Sequence, residues 1–123
     1  MKIICAGFPK TGSKSCSSAL RHLGYNVADS METAEFLSII WQSYLRGEAS
    51  IDDVLAKYEN FGFDSNQDIP GNYLWEDLYR AMPKDTKVIL TVRDSDAVWW
   101  DSWCGFMLQE INRSCVGDFN FQR

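Results

Sequence analysis

Two lysines and a run of hydroxyls stand where a bound anion would need them. In Gly7-Phe-Pro-Lys-Thr-Gly-Ser-Lys-Ser15 the glycines let the backbone wrap closely around an anion. Lys10 and Lys14 add point charges, and Thr11, Ser13 and Ser15 add hydroxyl donors. The run before this loop, KIICAGF from Lys2 to Phe8, suits a strand buried on both faces. After it, Ser15–Leu23 has helical spacing, with Cys16, Ala19, Leu20 and Leu23 on one face and Gly24 as a stop. Strand, glycine loop and helix in that order aim the N–H groups of the first helical turn at a phosphate. The helix dipole adds about 0.3–1 kcal/mol per favourable charge. A plain Gly/Ser turn that opens a helix has the same composition, but the order of the elements favours binding.

Two further chemical groups fall near strand ends. Arg93 follows KVILTV, residues 87–92. Asp68 precedes a turn at Pro70-Gly71, where a solvated loop aspartate is the plainer reading. Open parallel sheets bind ligands at the carboxyl ends of their strands, which is where the loop after the first strand, Asp68 and Arg93 fall.

The rest of the chain limits what these groups serve. Its 123 residues make one domain, and 46% apolar residues can fill a core. A net charge of −5 argues against a general nucleic-acid or anionic-membrane surface, so cations must be gathered locally. Four cysteines without a CxxC pair and a single histidine argue against a zinc site, and no metal ligand is singled out. Cys5 and Cys16 read as small buried hydrophobes. No stretch is long enough to span a membrane, and Ile3–Phe8 is too short for a signal-peptide core, which implies a reducing, cytoplasmic location.

The elements that would position the groups alternate. A short strand is expected at Tyr25–Ala28, then a long helix from Asp29 or Ser30 through Arg46 with Leu37, Ile40, Trp41 and Tyr44 on its apolar stripe. Ser50-Ile-Asp-Asp53 reads as a capping box for a helix carrying Ile51, Val54, Leu55 and Tyr58. A short strand or loop at Phe63–Ile69 and a helix at Tyr73–Met82 follow. KVILTV, dense in β-branched residues, is the strongest strand in the chain. Ser95 caps a last helix carried by Trp99, Trp103, Phe106 and Met107, with Trp100 on its outer side. Asn112–Arg123 shows no period. This alternation implies an α/β fold, a three-layer α/β/α sandwich around a short parallel sheet.

A strict Walker A motif reads G-x-x-x-x-G-K-[ST]; here Gly12 is followed by Ser13, and Lys14-Ser15 comes one position late. Pro9-Lys10-Thr11-Gly12-Ser13-Lys14-Ser15 more closely resembles the loop of sulfotransferases, which use 3′-phosphoadenosine 5′-phosphosulfate (PAPS), and the chain resembles the sulfotransferase-like P-loop family from Ile3 to about Trp103. The resemblance implies that Lys10 contacts the phosphate–sulfate bridge and stabilises the leaving group. It implies that Thr11, Gly12, Ser13, Lys14 and Ser15 hold the 5′-phosphate, and that Arg93 and Ser102 grip the 3′-phosphate. Asn66-Gln-Asp-Ile-Pro70 resembles the family's lysine-threonine-histidine-leucine-proline stretch, which would make Asp68 the catalytic base and leave Asn66 in place of a lysine. A further strand and a basic loop follow in the family, so the chain reads as a single domain, 1–123, that lacks them.

Three functions are consistent with these residues. The first is transfer of a sulfuryl group from PAPS, leaving the bisphosphate PAP, to a small hydroxyl or amine acceptor. The second is binding or hydrolysis of ATP or GTP with Mg²⁺ on Ser13 or Ser15 and Asp94 nearby. The third is a non-catalytic nucleotide-binding or interaction module, in which an exposed sheet edge would invite a homodimer.

Overall fold

The computed structural model describes residues 1–117 and divides into two compact units, Met1–Val92 and a second that begins at Arg93. The first unit is built on four parallel strands, β1 (Ile3–Cys5), β2 (Val27–Ala28), β3 (Ser65–Asn66) and β4 (Lys87–Ile89), in the order β2-β3-β1-β4. Ile3 stands opposite Ser65 on one side and Lys87 on the other. β1 is therefore an inner strand, as expected of an unbroken apolar run, and all three of its residues are buried.

Alternation along β1 sends its side chains to opposite faces. Ile4 joins Leu37, Trp41, Val54, Tyr58, Phe63 and Leu78 in the larger core. That side is covered by α3 (Ser38–Leu45), α4 (Ile51–Asn60) and α5 (Trp75–Ala81). Ile3 and Cys5 face the other way and pack with Leu20 of α1 (Ser13–His22) and Val27. Helices lie on both sides of the sheet, so the unit is the α/β three-layer fold that the alternation implies.

Several elements differ from their expected extents. The strands are short, because only the residues that pair with a neighbour hold the extended ladder. KVILTV does so over Lys87–Ile89 alone, and it forms an edge strand with Val88, Leu90 and Val92 exposed. The expected helix from Asp29 through Arg46 is α2 (Ser30–Glu32), a π-helical stretch at Thr33–Leu37, and α3. Its stripe is as expected, with Leu37 and Trp41 buried and Ile40 and Tyr44 packed against them. On α1 the buried face is Ser13, Ser17 and Leu20, while Ala19 and Leu23 lie exposed. The Ser50–Asp53 capping box forms in full.

The second unit holds α6 (Asp96–Gly117). The Ser95 hydroxyl accepts from the Val98 N–H, which gives the expected cap. Trp99 and Trp103, one turn apart, stack with ring centroids 6.1 Å apart, and Trp100 is exposed. The helix extends into the stretch that shows no period, and residues 118–123 lie outside the described part.

Candidate phosphate and sulfuryl site

The loop between β1 and α1 opens with a four-residue turn. The Thr11 N–H donates to the Phe8 carbonyl at 3.3 Å, with Pro9 second and Lys10 third in the turn. Lys10 has φ 69°, so the dihedral signs are those of a type II turn, in which the third position normally takes glycine. Holding a lysine there costs about 1–2 kcal/mol. Gly12 follows at φ 100° and is the N-cap of α1. No side chain caps this end, so the leading amides of α1 are left to point outward. A Cβ at Gly12 would meet nothing within 4 Å, which leaves open space over these amides.

Gly7 is glycine for another reason. A Cβ there would collide with the Thr91 hydroxyl and stand 2.7 Å from the Thr91 carbonyl oxygen. Thr91 lies just past β4. Its hydroxyl is 2.8 Å from that of Thr11, which itself donates to the Phe8 carbonyl at 2.5 Å. A hydroxyl has one proton, so Thr91 is the donor in the pair. From the opposite direction Asn72, buried, donates its amide to the Gly7 carbonyl at 3.0 Å. Gly7→Ala is expected to destabilise the fold by about 1–3 kcal/mol through overpacking and to weaken nucleotide binding. Thermal melting alongside a binding titration reads both. A variant that melts and binds like the parent would show that this approach does not shape the loop.

The Asp68 loop is tied to the same place. Asn66, buried, accepts from the Cys5 N–H at 3.1 Å and donates to the Cys5 carbonyl at 3.4 Å, so it knits β3 to β1 rather than standing in for a cation. Phe8 and Tyr73 pack with ring centroids 5.2 Å apart. Asp68 is half-buried, has φ 79°, and accepts the Ile69 N–H at 2.9 Å. Among the described residues, Lys10 and Asp68 are the non-glycine residues with positive φ. They are also the two residues to which the family resemblance gives catalytic roles, and backbone strain gathers at functional positions.

Lys14 sits at the second position of α1, but its ammonium is engaged. It lies 3.0 Å from a carboxylate oxygen of Asp29 and 2.9 Å from the Ser30 hydroxyl. Burial opposes ionisation of Asp29, yet Lys14 and the Ser30 N–H hold its carboxyl below the usual range. Ser13 is buried and Ser15 exposed on the same turn. In the second unit the guanidinium of Arg93 donates to the Ser102 hydroxyl at 3.0 Å, so the two residues expected to share a 3′-phosphate lie together across nine positions.

Sequence reasoning read Asp29 only as a helix cap and did not single out Asn72 or Thr91. Thr91 had a signal, as the one polar residue inside the run ILTV.

A family model described as the sulfotransferase domain matches residues 2–120. No curated protein is similar enough to count as a match. The matched span takes in the loop, Asp68, Arg93 and Ser102, and the parallel α/β sheet is the fold this family implies, so the chain belongs to the sulfotransferase family.

Proposed function

We propose that the chain binds PAPS at the Gly7–Ser15 loop and transfers its sulfuryl group to a hydroxyl or amine acceptor. One observation carries this reading: α1 begins at a left-handed glycine with no side-chain cap, directly after a strained turn that presents Lys10. An uncapped helix start is suited to a phosphate, since its amides and dipole act together. The backbone amides of Ser13, Lys14 and Ser15 would hold the 5′-phosphate. PAPS when bound supplies the sulfuryl group and a phosphate as leaving group. Lys10 would steady negative charge on the departing bridging oxygen, and Asp68 would take the acceptor's proton. A triphosphate site draws less support, because Lys14, already one position late for a Walker A lysine, has its ammonium on Asp29.

The test is a titration with adenosine 3′,5′-bisphosphate, ATP and GTP, each with and without Mg²⁺. The expected result is a preference for the bisphosphate that does not depend on metal. Binding of triphosphates alone, and only with Mg²⁺, would overturn the proposal in favour of a nucleotide hydrolase.

A further inference from the structure

The Lys14–Asp29 pair joins the phosphate loop to the end of β2. Asp29 follows β2, and its carboxylate is 4% exposed. Its other bonds fix it in place: one oxygen accepts the Ser30 N–H at 2.7 Å, and its own N–H donates to Glu32 at 3.1 Å in a capping box. The second oxygen faces two cations. Lys14 is at 3.0 Å and Arg21 at 3.9 Å. Arg21 also donates to the Val27 carbonyl and to Glu32, both through the same terminal nitrogen. Lys14 is thus the closer partner of a buried charge. A buried carboxylate stripped of its partner is costly, whereas an exposed ammonium is not.

We infer that Asp29 is a specificity-determining residue of the phosphate loop, because it holds the Lys14 ammonium away from the bound anion. The inference rests on the reading of the loop as a nucleotide site. With Lys14 held, Lys10 is the lysine of the loop that meets the ligand. One cation with a set of backbone amides suits a single phosphate group. A chain of phosphates carries more charge and would draw on a second lysine. Asp29 thereby sets the loop against polyphosphates without touching the ligand.

Asp29→Asn tests this, since asparagine caps a helix as well as aspartate does and keeps the volume. Affinities for pyrophosphate, ATP and adenosine 3′,5′-bisphosphate are measured by calorimetry at low salt. Asp29→Asn should bind pyrophosphate and ATP about threefold to tenfold more tightly than the parent, the size of one screened charge contact. The preference for the bisphosphate over ATP should narrow accordingly. The gain should vanish when Lys14→Ala is added to Asp29→Asn. Asp29→Ser, another good cap, serves if the asparagine variant does not melt cooperatively. A folded variant that keeps the parent's preference overturns the inference, as does a gain that survives the loss of Lys14. If the parent binds none of the three anions, the reading of the loop itself fails. If the parent binds and only the preference is unmoved, the role of Asp29 alone is refuted.

Discussion

Lys10→Gly is expected to yield a protein that is harder to unfold and far poorer at binding and transfer. Lys10 occupies a position with φ 69°. The left-handed region costs an L-residue about 1–2 kcal/mol, and glycine nothing. Glycine also loosens the unfolded chain, which returns about 0.4–1 kcal/mol. The net gain is about 0.5–1 kcal/mol, or a rise in Tm of about 2–5 °C. Lys10→Ala keeps the strain and removes the same charge, so it should melt no higher than the parent. Both variants should bind adenosine 3′,5′-bisphosphate about 10- to 100-fold more weakly, the worth of a charge-assisted contact. Where PAPS turnover is followed, both should be slowed about 10²–10³-fold, as when one stabilising group is taken from a developing charge. If glycine and alanine lower the Tm alike, the turn is not strained. If binding and turnover survive both, Lys10 is not the cation at the leaving oxygen.

The local rules of the sequence reached much of this site. Strand, loop and helix stand in the expected order, and Gly12 has a left-handed backbone that glycine adopts freely. Both follow from residues close together in the chain, whereas the place of Ser102 beside Arg93 was implied only by the family resemblance. What was not legible depends on contacts between distant segments. Thr11 and Thr91 are 80 positions apart, Asn72 and Gly7 are 65, and Asn66 and Cys5 are 61. No spacing rule links them. Gly7 shows the difference best. Its presence in the loop was read as freedom to wrap an anion, whereas the structure gives it a steric task against Thr91. Lys14 is similar. Its place after Gly12 suggested a phosphate ligand, and the pair with Asp29 forms only because the end of β2 is brought beside the start of α1. The edge position of β4 also eluded the sequence, since β-branched composition marks a strand but not whether a neighbour covers it.

Asp68→Asn should leave folding and nucleotide affinity close to the parent and reduce transfer by about 100-fold or more, the usual range for loss of a general base. The substitution is chosen for the backbone. Asp68 sits at φ 79°, and asparagine tolerates this region about as well as aspartate. Its side-chain oxygen can still accept the Ile69 N–H that Asp68 now accepts. The tie from Asn72 to the Gly7 carbonyl is untouched, so the phosphate loop keeps its shape. What changes is the capacity to take a proton. Asp68→Gly makes the complementary change, since it removes the carboxylate and the strain together, and it should raise the Tm while slowing transfer to a similar degree. The measurement is transfer to any hydroxyl acceptor that the parent uses, set beside bisphosphate affinity and melting for each variant. A fall in affinity that matches the fall in rate would move Asp68 from proton acceptor to ligand holder. A rate within about threefold of the parent in both variants would leave it a turn residue, because a true general base contributes at least 10²-fold. Lys10 and Asp68 share a strained backbone on two separate loops, and relief of that strain by glycine at either one should give stability at the expense of chemistry.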